Sequence, residues 1–143
     1  MKTVVVDASV AVCWFVREAG SLAANQLVRN DVHMIAPSLI LPELANAVWK
    51  KWRRGQMDAA QTEIAVREIN RFVPEIVDMA KLIEPALTLA RETGHSVYDC
   101  LYVTLARQRD LQLVTLDQKL VAAFAGARDA SRVALIDDWL QAS

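Results

Sequence analysis

Four carboxylates occupy positions from which a folded chain can bring them to one edge. Asp7 ends the apolar run "TVVVD" and Asp117 ends "LQLVTLD", while Glu43 and Asp99 fall in the first turns of two apolar helices. Each has an ordinary structural explanation. Asp7 suits a cap for the turn after its strand, and Asp117 an N-cap for the helix that follows. Glu43 suits the positive end of a helix dipole. Ser96-Val97-Tyr98-Asp99 has the spacing of a capping box. Capping alone, however, does not require four acids to share one edge. Two unit charges about 4 Å apart repel by roughly 4 kcal/mol at an effective dielectric of about 20. Protonation of one acid or a bound divalent cation relieves that repulsion. Oxygen donors suit Mg²⁺ or Mn²⁺. A histidine-rich zinc site is not expected, because His33 and His95 are the only histidines, and both read as structural or surface residues. A cation held by carboxylates supports phosphoryl chemistry through an activated water, with no covalent nucleophile. Ser9 in "DAS" has no histidine in a recognisable relation to it. Ser9 and Thr115 read as hydroxyls that orient the acids or the cation's waters, with turn capping as the plainer alternative.

The elements that must position these residues are legible as an alternation. Strands are expected at Thr3–Asp7, His33–Pro37, Glu75–Met79, Leu111–Asp117 and Arg132–Asp137. Helices are expected at Leu41–Gly55, Met57–Phe72, Glu84–Gly94 and Val97–Arg109, then a short one in "QKLVAAFA" and a turn at the C-terminus. The helix from Val97 is apolar nearly all round after Asp99, the pattern of a helix buried on most sides. Short apolar strands between helices imply an α/β fold in three α/β/α layers, with a central, mostly parallel sheet of about five strands. Sites in such folds form outside the carboxyl ends of the strands. Helix starts lie at that same edge, so all four acids can share one crevice.

Bulk properties set the frame. The chain has 143 residues, 54% of them hydrophobic, with four Gly and four Pro, which suits a single folded domain over 1–143. Net charge is −1 from 16 basic and 17 acidic residues, so a nucleic-acid partner needs a local basic patch rather than a global field. Cys13 and Cys100 sit in apolar surroundings outside any CxxC pair and read as buried thiols in a reducing compartment. The opening "MKTVVVDAS" is too short for a signal peptide, and no later run approaches the ~18 apolar residues of a membrane span. A cytoplasmic protein without a membrane partner is expected.

These stretches resemble the PIN-domain family and, within it, the VapC-like ribonuclease toxins of toxin–antitoxin pairs. "VVVDASV" is similar to the family's opening strand with Asp-x-Ser, and "LPELANAVWKKWRRGQM" to its Glu-x-x-Asn helix. "SVYDCLYVTLA" is similar to its Tyr-Asp-x-x-Tyr-x-x-Leu-Ala helix, and "LVTLDQKL" to its Thr-x-Asp segment. All four motifs occur in order over nearly the whole chain. The resemblance implies metal-dependent endoribonuclease activity, with Asp7, Glu43, Asp99 and Asp117 around Mg²⁺ or Mn²⁺. It also implies an RNA substrate, a homodimer and inhibition by a cognate antitoxin. Family members differ in which acids touch the metal, and Asp117 is the least secure ligand.

Two surfaces follow from helical spacing. Glu43, Asn46 and Lys50 share one face. That face runs from the acids toward "KKWRR", where Lys50, Lys51, Arg53 and Arg54 can follow an RNA backbone or simply complement the helix dipole. Asn46 reads as a hydrogen-bond partner of an acid. Ala45, Val48, Trp49 and Trp52 form an apolar stripe opposite. With the following helix it can leave a groove for an antitoxin helix, with Trp49 and Trp52 as contacts. A non-cleaving PIN-like module that binds RNA or protein is the alternative reading, but such a module has no need of four acids. A phosphatase with an aspartyl nucleophile is disfavoured, because "DASV" lacks the second Asp two residues on.

Overall fold

Successive valines of the first strand point to opposite sides. In the computed structural model, which describes residues 1–143, Val4 and Val6 pack into one core and Val5 into another. A strand buried on both faces belongs in the middle of a covered sheet. β1 (Thr3–Val6) lies there accordingly, in a five-stranded sheet of order β3-β2-β1-β4-β5. Its neighbours are β2 (His33–Pro37), β3 (Glu75–Val77), β4 (Leu113–Thr115) and β5 (Val133–Leu135). Every pairing is parallel; Val5 lies opposite both Ile35 and Leu113.

One face carries α1 (Ala8–Ala11), α2 (Ser21–Arg29), α3 (Ile40–Arg53), α4 (Ala59–Phe72) and α8 (Ile136–Ala142). The other carries α5 (Ile83–Thr93), α6 (Val97–Arg109) and α7 (Gln118–Phe124). This is the three-layer arrangement the alternation implies. Seven consecutive residues of α6, Cys100 to Ala106, are buried, as expected of a helix apolar all round. No helix is long and apolar enough to cross a membrane. Both cysteines are free and buried.

The differences from the sequence expectation lie mostly at element ends. β1, β4 and β5 stop before Asp7, Asp117 and Asp137, because the first two aspartates cap helices and the third lies inside α8. β3 stops at Val77, where Asp78 turns the chain into a short 3₁₀ turn. α4 begins after Asp58, which forms a reciprocal capping box with Gln61, so Met57 is core but not helical. α2 was not expected at all. It buries only Ala24 and Leu27 and leaves Leu22 and Val28 exposed, too thin a stripe to read as a period.

Strand order places the site. From β1 the chain winds outward through β2 to β3, then returns to the other side of β1 for β4 and β5. Connections therefore diverge between the carboxyl ends of β1 and β4, where ligands bind in open α/β sheets. α6 runs from that edge to the opposite one. At its far end Arg107 makes a two-pronged ion pair with Asp129, which also faces Arg132 at 3.7 Å, and Arg132 reaches Asp110 at 3.1 Å. Asp129 is buried, and the Arg107 guanidinium holds its carboxyl below the usual range. A lowered folded pKa stabilises above the unfolded value and is lost as pH falls through the folded one. Arg107→Ala is expected to lower stability by about 1–3 kcal/mol at neutral pH. Urea unfolding from pH 7 to 3.5 checks it: the gap from wild type holds at neutral pH and narrows below the ordinary Asp value of 3.8. A gap independent of pH would mean that Arg107 acts through packing alone.

Candidate active site

Asp7 follows β1 directly and is buried. Its carboxylate is held from both sides. Oδ1 accepts from the Ser9 backbone N–H at 3.1 Å, the Ser9 hydroxyl at 2.6 Å and the Val10 N–H at 3.4 Å. Oδ2 accepts from the Thr115 hydroxyl at 2.6 Å. The two hydroxyls also tie the β4 end to the β1 end: Leu116 N–H donates to Ser9 Oγ at 3.1 Å and Asp117 N–H to Thr115 Oγ1 at 3.0 Å. Gly20 leaves room for Leu116 beside this loop, since a Cβ there would meet Leu116 Cδ1 at 2.5 Å. Ser9 and Thr115 thus touch an acid, and they fix the geometry of the crevice as well.

Glu43 lies in the first turn of α3, on the other rim of the site. Its Oε1 accepts from the Tyr102 hydroxyl at 2.5 Å. Asp99 lies in the first turn of α6, and its backbone N–H donates to the Ser96 hydroxyl at 3.2 Å. The Asp99 carboxylate does not return the bond, so only half of the capping box forms. Asp117 is the N-cap of α7: its Oδ1 accepts from the N–H groups of Lys119 at 2.9 Å and Leu120 at 3.3 Å.

The acids feel one another. Burial pushes the Asp7 carboxyl upward against its four hydrogen bonds, and the Asp117 charge adds to the rise. Burial also raises Glu43, outweighing the Tyr102 bond, and the charges of Asp7 and Asp99 raise it further. Asp99 is raised by burial and by Asp117, with Ser96 and His95 opposing. Three acids raised together by desolvation and mutual repulsion mark a place where positive charge is wanted. As arranged, no three of the side chains stand close enough to cage an ion directly. The donor chemistry still fits a hard cation. Mg²⁺ keeps several waters and takes one or two carboxylates, and Glu43 Oε2 carries no hydrogen bond. Asp7 is the rigid member of the set and Asp117 the one already engaged as a cap.

A cleft of about 710 Å³ lies between α1, α3 and the loop before α2, with Glu43 the one acid of the four on its wall. Ser9, Glu43, Asn46, Lys50, Lys51 and Arg54 line it. The basic run is divided by the fold. Lys50 and Arg54 line the cleft without an ion pair, whereas Lys51 pairs with Glu18 at 2.7 Å. Glu18 also accepts from the buried Cys13 thiol at 3.5 Å, and burial together with Glu18 pushes that thiol up to about 12. Arg53 lies away from the cleft, with its guanidinium 4.9 Å from the Trp49 ring. Asn46 is exposed and bonds to none of the acids, contrary to expectation: its helical phase is right, but it lines the open cleft beyond Glu43. Sequence reasoning missed Tyr102. It reads as one more apolar residue of α6, and the available signal was its position three residues after Asp99, on the same helix face, together with a hydroxyl that needs a partner when buried.

On the outer side of α3, Trp49 and Trp52 are 45% and 49% exposed. With Ala45, Val48 and Val66 they line a groove of about 380 Å³ between α3 and α4, rimmed by Glu63 and Arg67. Trp49 and Trp52 therefore stand at the surface, while Val48 of the same stripe is buried in the core. Trp14 is half-buried and stacks on Phe72 at 4.8 Å, and Trp139 is buried.

Comparison with known proteins places this geometry. The PIN domain model matches residues 4–125. Ribonuclease VapC3 of Pyrobaculum aerophilum is 32% identical over 122 residues, covering 84% of this chain and 93% of that protein. The crystal structure of PAE2754 from Pyrobaculum aerophilum superposes with a TM-score of 0.70 at 22% identity, covering 99% of this chain and 94% of that one. That of Mycobacterium tuberculosis VapC20, described as a sarcin-ricin loop cleaving toxin, gives 0.63 at 20% identity, covering 84% and 94%. With its acids gathered at the β1–β4 crevice and its family match running from the first strand through α7, the chain belongs to the PIN domain family, among its VapC-like members.

Proposed function

We propose that this chain is a metal-dependent endoribonuclease, the toxin of a toxin–antitoxin pair, acting in the cytoplasm as a homodimer. The observation that carries the reading is the joint placement of buried Asp7 with Glu43 and Asp99, all raised by burial, with Glu43 also on the wall of a cleft bearing Lys50 and Arg54. The ribonuclease relative supports it over a merely RNA-binding module. A divalent cation, Mg²⁺ or Mn²⁺, would be held among Asp7, Glu43 and Asp99, in part through its own waters, with Asp117 beside them, and would polarise water and neutralise charge on the scissile phosphate. The chain's own groups do the rest. Ser9 and Thr115 keep Asp7 in one orientation, and Lys50 and Arg54 attract and align the phosphate backbone with little sequence discrimination. Sedimentation of the purified chain tests the dimer.

Incubation of the purified protein with structured RNAs tests the activity. Cleavage is expected with Mg²⁺ or Mn²⁺, with loss in EDTA and recovery on re-addition of the cation. Undiminished cleavage in EDTA rules out the metal role; RNA bound intact with every cation favours the non-cleaving module.

The antitoxin is proposed to seat apolar side chains in the α3–α4 groove. Trp49→Ala and Trp52→Ala are each expected to weaken its binding ten-fold or more, since tryptophans that act as interface hot spots cost about 2 kcal/mol or more when truncated. Titration calorimetry checks this, and unchanged affinity in both variants moves the interface elsewhere.

A further inference from the structure

The hydrogen bond between Tyr102 and Glu43 crosses the sheet edge. Tyr102 belongs to the core on the α5–α6–α7 side, and Glu43 to α3 on the opposite layer. Within the site the acids are secured unequally. Asp7 is fixed by Ser9, Val10 and Thr115, and Asp117 by two backbone N–H groups. Glu43 carries the longest acid side chain of the set, and its carboxylate has one hydrogen bond, the one from Tyr102. The phenol itself is anchored in the core: its residue is 3% exposed and sits in α6 among Leu101, Val103 and Leu105. It stands one helical turn beyond Asp99, close enough to feel the charges of Glu43, Asp7 and Asp99 together.

We infer that Tyr102 is a positioning residue for cation binding, anchoring Glu43 through Oε1 so that Oε2 is presented toward Asp7 and Asp99. The inference rests on the proposed metal-dependent reading. A phenol suits this task because it donates one directed hydrogen bond and carries no charge that would compete with the cation. Through this bond Glu43 of α3 is tied to α6, the helix that carries Asp99. Hydrogen-bond partners of ligating carboxylates typically change metal affinity 10–100-fold when removed.

The test measures Mn²⁺ binding to the purified chain by electron paramagnetic resonance, without RNA. Tyr102→Phe removes only the hydroxyl and is expected to weaken Mn²⁺ binding ten-fold or more. Tyr102→Leu removes the ring as well; it should lower the melting temperature further, with no comparable extra loss of Mn²⁺ affinity. Wild-type affinity in Tyr102→Phe overturns the inference, as does a loss that appears only in Tyr102→Leu, which would reduce Tyr102 to packing. A wild-type chain that binds no Mn²⁺ overturns the metal-dependent reading itself, and the inference with it; an intact wild-type affinity with an unaffected Phe variant overturns the inference alone.

Discussion

Asp7→Asn is expected to abolish RNA cleavage and, in the metal-free protein at neutral pH, to raise the melting temperature. The two effects have one cause. Asp7 holds negative charge in a buried place, and burial lifts its carboxyl despite four hydrogen bonds. A folded pKa raised above the ordinary 3.8 means that stability is greatest below the unfolded value and is lost as pH rises through the folded one. At pH 7.5 the wild type therefore folds against an unfavourable charge that the variant lacks. Asn keeps the rest. It caps α1 as well as Asp does, its carbonyl can take the Ser9 and Val10 bonds, and its amide can donate to Thr115 Oγ1. A gain of about 1 kcal/mol corresponds to roughly 3–5 °C for a domain of this size. The gain should vanish near pH 4, where protonation neutralises Asp7 itself, and Mn²⁺ should stabilise the wild type but not the variant. Loss of a charge that supports several kcal/mol of transition-state stabilisation lowers cleavage about a thousand-fold or more. Thermal melts at two pH values with and without Mn²⁺, beside cleavage rates, check both halves. A variant less stable than wild type at every pH would mean that the lost ionic hydrogen bonds outweigh the charge.

What could be read from the sequence follows from which interactions are local. β-branched runs and helix periods locate Asp7, Glu43, Asp99 and Asp117 at strand ends and helix starts, and a parallel sheet then requires one shared edge. Side-chain partners across that edge are not local. The Tyr102–Glu43 bond joins residues 59 apart and the Asp7–Thr115 bond residues 108 apart. Types and order suggested hydroxyls near an acid in the second case, because Ser9 and Thr115 each stand two residues from an acid in the chain. They did not in the first, because a tyrosine inside an apolar helix is ordinary core. The run Lys50–Arg54 was legible as basic but not as divided. Its division depends on where Glu18 and Trp49 lie, and Glu18 stands in the loop before α2, the helix whose apolar stripe is too thin to find. Trp49 and Trp52 were legible as a stripe. That these two face solvent while Val48 beside them is core depends on how α4 packs beside α3, which helical periodicity does not encode.

Asp99 and Asp117 should separate under the same substitution. Both begin helices, and by spacing alone either can be a cap or a ligand. Their hydrogen bonds divide the roles. The α6 cap is the Ser96 hydroxyl, and the Asp99 carboxylate takes no part in it. The α7 cap is the Asp117 carboxylate, with two backbone donors on Oδ1. Asp99→Asn therefore removes a charge that burial and Asp117 already make unfavourable, at no loss of capping. Cleavage should fall about a hundred-fold or more, with the metal-free melting temperature unchanged or higher. Asp117→Asn keeps its cap and removes a charge that acts on Asp7 and Asp99 from beside them, so kcat/KM should fall about ten-fold or less. Asp117→Ala loses the cap too and should cost about 1 kcal/mol of stability. Parallel measurement of kcat/KM and thermal unfolding for the three variants decides it. If Asp117→Asn is as inactive as Asp99→Asn, one carboxylate both caps α7 and serves the cation, through its two separate oxygens.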